Sequence, residues 1–430
     1  MLQREDFYSD LAYRNYLYSL SKSSLATKAE LEYLSEHDDE VIRYHVSLNK
    51  NCPKSILRKL SRDKSSLVRI GVGSNENTPV MVLKKLSYDG DSNVRVSVGE
   101  NKSSTQLILS RLAKDPDVEV REAVARNNSC PEYLIRELCL DKNLKVVLAA
   151  LSHHHCPWDV LRNYSDSNSE DILCSIVSNI SCPVDIFWSI YNRFDVKPLD
   201  ILEKMAKNCC CPKDLMYSLF EYGKNIRYNR FLYMSLGGNP TCPVDILEQL
   251  VDIKQPESVR EAVAGNLSSP DFILKKLAFD PSFSVRRRLL MNCFCSNEVL
   301  KILAKDFSQE IRYNVIFHSN CSSDILDQLA DASEDRIKIA VSRSPKTSQE
   351  TLKKIISNLK PDSETSECIV NIILSRRDLS LETIQAGLSS CYKNQFEAWL
   401  KKNKLKLGDI LIFNTPSKKK NNKSLDLMRG

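Results

Sequence analysis

The chain has 430 residues, 42% of them hydrophobic and 27% charged, which is too long for one ordinary compact core and too apolar for wholesale disorder. Only 11 residues are Gly, and no GxGxxG or GxxxxGK(S/T) string occurs, which argues against a nucleotide-binding α/β fold. The net charge of +6 is uneven: residues 401–430 carry nine Lys and Arg against two Asp, leaving the remainder close to neutral.

At the start, Met1-Leu2-Gln3-Arg4-Glu5-Asp6 leads into no signal-peptide core, and no apolar run is long enough to cross a bilayer. A cytoplasmic location is expected, with the fifteen cysteines reduced, because disulfide scaffolds suit short exported chains. Residues 1–26 place Phe7, Tyr8, Leu11, Tyr13, Tyr16, Leu17 and Tyr18 in an amphipathic pattern that reads as an N-terminal helical cap.

From residue 27 to about 390 a repeat decides the architecture. Asn49, Asn75, Asn101 and Asn127 stand 26 residues apart, and the series continues through His153, Asn179, Asn208, Asn239, Asn266, Asn292, His318, Ser344 and Arg376. Thirteen units result. After each anchor comes a small residue and often Pro, as in Cys52-Pro53, Thr78-Pro79, Cys130-Pro131 and Cys182-Pro183, with Pro suited to the first helical position. An apolar i, i+1, i+4 set then predicts a helix of about three turns, for example Ile56, Leu57 and Leu60. A polar turn leads to a shorter second helix with apolar residues three and seven before every anchor, from Val46 and Ile42 to Ile373 and Ile369. Neither helix covers its own apolar stripe, so the units must stack. The expected fold is all-α, a right-handed α-solenoid of about thirteen ~26-residue two-helix repeats.

The string Val-Arg-x-x-Val-Ala-x-Asn-x-x-Cys-Pro-x-x-x-Leu-x-x-Leu-Ala-x-Asp, nearly verbatim at 120–141 and 259–280, resembles the variant leucine-rich repeat of bacteria, a relative of the HEAT and armadillo solenoids. The resemblance covers about four fifths of the chain. It implies a curved superhelix of short paired helices. Some members carry an N-terminal iron–sulfur module, but no Cys precedes Cys52 here, so that module is not carried over.

An Asp and an Arg six residues apart recur in five units: Asp63/Arg69, Asp89/Arg95, Asp115/Arg121, Asp280/Arg286 and Asp306/Arg312. The HEAT resemblance implies a ladder in which turn carboxylates meet Arg side chains of the same or the neighbouring repeat. The alternative is a row of arginines aimed at phosphates. The anchor Asn has a side chain able to tie the turn backbone after the second helix, and it tolerates left-handed conformations. Cysteines fill the slot three after the anchor in eight units, where Thr78, Ser104, Ser269 and Thr347 also occur, so a small buried residue is expected there.

Two clusters depart from the pattern. His153-His154-His155-Cys156 offers four zinc-ligating side chains, but adjacent residues cannot all converge on one tetrahedral ion, and Cys130 or Cys182 would have to help. The other reading is a turn filled by polar histidines. Cys209-Cys210-Cys211 leaves one or two thiols beyond the regular slot. Neither has CxxC…CxxC spacing, and no cofactor is expected.

Between residues 141 and 257 the ladder lapses and two anchor intervals lengthen to 29 and 31. Aromatic residues gather there, including Trp188, Tyr191, Phe194 and Phe220, with basic side chains among them. Insertions would place a loop on one face, and Tyr222, Arg227, Arg230 and Tyr233 are the candidate partner-binding residues, with Arg227 and Arg230 before or at the start of the second helix and Tyr233 beside inward Leu232, flanking the core. The other reading is repeat degeneration, with the aromatics filling a looser core. Phe396, Trp399 and Leu400 suggest a closing helix within a capping segment, 391–412. Residues 413–430 read as a basic disordered tail in which Lys418, Lys419, Lys420 and Lys423 could touch nucleic acid.

Three functions are weighed. The first is a non-enzymatic scaffold that binds a protein or peptide along the solenoid surface. The second is a nucleic-acid binder resembling the HEAT-like alkylpurine DNA glycosylases, for which Trp158-Asp159 and Asp185 near Trp188 are the nearest aromatic–carboxylate neighbours, with no residue-by-residue match to a catalytic Asp. The third is an enzyme of the HEAT-type chromophore-lyase kind, with its site in the irregular middle.

Overall fold

The computed structural model describes residues 3–226, 229–361 and 363–403. Among these, every regular element is a helix. The chain falls into two compact units, residues 1–243 and 244–430. Each is a repeat helical solenoid in which successive second helices lie against one another.

A regular repeat shows why. Cys52 is buried and Pro53 holds φ −62°, ψ 145° just before the first helix, Lys54–Leu60. The prolines therefore stand one residue earlier than expected, outside the first helical turn. That helix has seven residues, about two turns rather than three, and it buries Ile56, Leu57 and Leu60. The second helix, Ser66–Ser74, is the longer one at nine residues, which reverses the expected lengths. Seven residues cannot be stable as an isolated helix. Burial of the apolar triplet against neighbours is what holds them.

The second helices approach closely through small residues. A Cβ on Gly73 would run into Ser97 Oγ of the next repeat, and one on Gly99 would sit 3.1 Å from Ala123 Cβ. In the unit 1–243, helix Asp10–Lys22 packs on Glu40–Leu48 and begins this layer. In the unit 244–430, helix Lys393–Lys402 packs on Leu381–Leu388 and ends the described residues. Phe396 and Leu400 are buried in that packing, and Trp399 Nε1 donates to the Leu374 carbonyl at 2.8 Å.

The lengthened intervals do not insert loops on one face. They extend first helices, to ten residues at Val184–Arg193 and twelve at Lys213–Lys224. No helix of the described residues is long and apolar enough to cross a membrane.

Candidate functional site

Two ladders of polar side chains run along the repeats and absorb most residues that sequence alone made candidates. In the first, each Arg reaches forward into the next repeat. Arg69 donates to both carboxylate oxygens of Asp89 at 2.7 and 2.9 Å, while its third nitrogen donates to the Asp63 backbone carbonyl at 2.9 Å. The same arrangement joins Arg95 to Asp115 and Arg286 to Asp306. The six-residue spacing seen in the sequence thus marks a main-chain bond within one repeat, not the ion pair.

Each carboxylate also accepts the backbone N–H two residues on, as Asp280 does from Ser282 at 2.8 Å. Bidentate pairing with a withdrawn Asp is the strong form of this bond. The Arg121 guanidinium holds the Asp141 carboxyl below its ordinary range, and Asp141 in turn raises Arg121.

The ladder is longer than five pairs. Arg43 pairs with Asp63, Arg121 with Asp141, Arg260 with Asp280, and Arg312 with Glu334. Sequence reading missed Arg43, Asp141, Arg260 and Glu334 because it required an Asp six residues before each Arg. The signal was the Arg itself, six residues before the anchor. Between the two stretches that slot is apolar: Val147, Leu173, Leu202 and Tyr233 are all buried there.

The second ladder is made by the anchors and reaches backward. Asn101 Nδ2 donates to the carbonyls of Gly73 and Asn75 at 2.6 and 3.0 Å, and its Oδ1 accepts the Ser103 N–H at 2.8 Å. It is extended (φ −69°, ψ 123°), so the left-handed tolerance of Asn is not what selects it. The bond ties two repeats, which goes beyond a local turn.

His153 performs the same task. Its Nδ1 accepts the His155 N–H at 3.0 Å, so Nε2 carries the proton and donates to the Asn127 carbonyl at 3.0 Å. His318 repeats the geometry with Asn320 and Asn292. Arg376 bonds the carbonyls of Ser342 and Ser344 from the last anchor position.

The same backbone bonds engage the zinc candidates. His153, His154 and His155 bring ligand atoms within 4.8 Å of one another. However, both ring nitrogens of His153 are spent on backbone, and His155 Nδ1 lies 2.9 Å from the Cys130 carbonyl. Burial pushes His153 down to about 4, so it stays neutral through the ordinary range. Cys156 faces away into the core, with its sulfur 3.9 Å from that of Cys139. The residues at this turn fit a repeat staple and not a tetrahedral metal site.

The slot three after the anchor is equally structural. Thr78, Ser104 and Ser269 each donate to the carbonyl six residues earlier, at 2.6–2.7 Å, and Cys295 makes the same contact at 3.1 Å. Burial raises Cys52, Cys130, Cys182, Cys211 and Cys295 to about 12, which leaves them unreactive thiols.

No protein-family model matches the chain, and no curated protein does. Among solved structures, a crystal structure of an engineered protein is similar over 94% of this chain and 93% of that one, at 12% identity and a TM-score of 0.18. The repeat therefore stands on this chain's own hydrogen bonds.

The partner-binding candidates separate. Tyr233 is only 2% exposed; it sits in the ladder slot, stacks on Phe220 and donates to the Phe220 carbonyl at 3.2 Å. It is a core residue, and that assignment is corrected. Tyr222 is half-buried, and its hydroxyl accepts the Lys197 N–H at 3.1 Å. Arg230 is exposed, with its guanidinium 5.5 Å from the Phe231 ring. Arg227 lies outside the described residues, as do Lys418, Lys419, Lys420 and Lys423. The two glycosylase-like carboxylates are also engaged: Asp159 pairs with Arg136 at 2.6 Å, and Asp185 pairs with Arg162.

Proposed function

We propose that this chain is a non-enzymatic scaffold that binds a protein or peptide partner along the surface of its stacked second helices. The observation that carries the reading is the pair of opposed ladders. Arg reaches forward and Asn reaches backward at nearly every regular repeat, so successive helices are held at a fixed pitch. Within each unit a surface built this way keeps its helices at set spacing, and such preorganisation lowers the ordering cost of binding a partner.

Variant leucine-rich repeats of bacteria remain the repeat type that the recurring Asn-x-x-Cys-Pro supports, and this reading places the chain in the cytoplasm. Fifteen free cysteines support a reducing compartment.

The test is crosslinking with mass spectrometry on complexes purified from the native host. One stoichiometric protein partner, crosslinked to second helices, is expected. A monodisperse chain with no retained partner, or a duplex retained in its place with a steep salt dependence, overturns the reading.

A further inference from the structure

In the unit 244–430 the turns that follow three successive second helices carry an exposed apolar ridge. Leu267, Met291, Phe294 and Phe317 each leave more than half of their surface in solvent. These turns are neighbours. Asn292 Nδ2 donates to the Asn266 carbonyl at 3.0 Å, His318 Nε2 to the Asn292 carbonyl at 3.1 Å, and Asn320 Nδ2 to the Cys293 carbonyl at 2.9 Å. Four large apolar side chains on bonded, adjacent turns form a patch, whereas single exposed ones are ordinary. Met291 and Phe317 stand just before their anchors, where the other unit carries Leu48 but otherwise Ser74, Glu100, Arg126, Ser152, Ser178, Lys207 and Gly238, so this position does not require an apolar residue.

Cations border the ridge. Arg288 lies over Gly265, where a Cβ would strike its guanidinium. Arg336 sits 3.9 Å from the Tyr313 ring centroid, and Tyr313 packs edge-on against Phe317 at 5.1 Å. Arg343 ends the next second helix, Asp335–Arg343, and Lys346 ties the turn after it to the Ser319 carbonyl at 2.6 Å. Asp271 pairs with Lys275, Glu298 and Asp324 with Lys301, and Glu350 with Lys353. Arg288 and Arg343 have no carboxylate partner among the described residues.

Resting on the scaffold reading, we propose that this ridge docks an acidic peptide segment with aliphatic or aromatic side chains. Its apolar residues would cover Met291, Phe294 and Phe317, and its carboxylates would meet Arg288 and Arg343. A second copy of this chain fits poorly, because a self-paired ridge sets arginines against arginines.

The test offers the full chain peptide pools of equal length that differ only in composition: acidic with Leu and Phe, acidic with Ser, neutral with Leu and Phe, and basic with Leu and Phe. Selective retention of the first pool is expected. The Phe294→Ser/Phe317→Ser and Arg288→Gln/Arg343→Gln variants should each weaken the best peptide by about tenfold or more, with thermal stability unchanged, as for hot-spot side chains. Arg230→Ala should not weaken it. Peptides retained equally by both ridge variants overturn the ridge and leave the scaffold reading standing. Retention of no pool, or of the basic pool, overturns the proposal as well. So does polyuridylate binding, or dimerisation by sedimentation, that the ridge variants abolish, since either result assigns the ridge to another occupant. The scaffold reading itself falls only with the crosslinking result above.

Discussion

Arg286 and Asp306 belong to consecutive repeats, yet they form a two-point ion pair with side chains only 2% and 3% exposed. Arg286 also donates to the carbonyls of Asp280 and Pro281, so one guanidinium joins a turn to its own repeat and to the next.

Removing that guanidinium leaves Asp306 charged and buried without its partner. Arg286→Ala should cost on the order of 3–5 kcal/mol in denaturant unfolding, since a broken buried pair is worth more than an intact one. The Arg286→Met/Asp306→Leu double variant should recover part of the loss. A single variant as stable as wild type would show that the pair contributes nothing.

Asn101→Ala removes two donated bonds to buried carbonyls, and a loss of about 2 kcal/mol is expected from the midpoint of urea unfolding. Asn101→His should lose less, because His153 and His318 show that imidazole can hold the same position. Equal loss in both variants would mean that the amide geometry is irreplaceable at this turn.

His153 gives stability a pH dependence of known sign. Its folded value, about 4, lies below the unfolded 6.5, so the unfolded chain binds the extra proton. The contribution is fully present above pH 6.5, falls as pH drops from there toward 4, and then levels off. His153→Asn should flatten that window in melting temperatures taken across it. Ladder carboxylates such as Asp141 act lower, losing their contribution as pH falls below the ordinary carboxylate value of 3.8.

Tyr233 and Gly223 test the irregular stretch together. A Cβ on Gly223 would strike the Tyr233 ring, so Gly223→Ala should destabilise by about 1–3 kcal/mol through overpacking. Tyr233→Phe should cost about 1 kcal/mol for the bond to Phe220. Native-like stability in both would place Tyr233 back on the surface.

The thiols sort by position. Cys209, Cys210, Cys293, Cys368 and Cys391 are exposed and should react with a disulfide reagent in the native protein. Cys52, Cys130, Cys139, Cys156, Cys182, Cys211, Cys242, Cys295 and Cys321 should react only on unfolding, as read by mass spectrometry of labelled peptides.

How much of this was legible follows from the range of each interaction. The helices and the repeat could be read because apolar spacing and the Asn-x-x-Cys-Pro anchor are local patterns. Asp63 and Arg69 were rightly singled out but join different partners, since a one-dimensional spacing cannot tell a bond within a repeat from one between repeats. Tyr233 was misplaced for a related reason. Helical phase puts it beside inward Leu232, but its slot is the Arg slot, and the packing on Phe220 and Gly223 shows that it is buried outright. The apolar ridge went unseen because Leu267, Met291 and Phe317 are contiguous only across adjacent turns.

The forward reach of the arginines bears on how the chain is made. On the ribosome Arg69 emerges 20 residues before Asp89, the carboxylate it pairs with, and Arg95 likewise precedes Asp115 by 20. Where the ladder runs, the newest complete repeat therefore waits for part of its successor before its guanidinium is neutralised. Asn75, by contrast, finds the Ser47 and Asn49 carbonyls already synthesised. Growth of the array is thus secured from behind at once and from ahead only after a delay of most of one repeat.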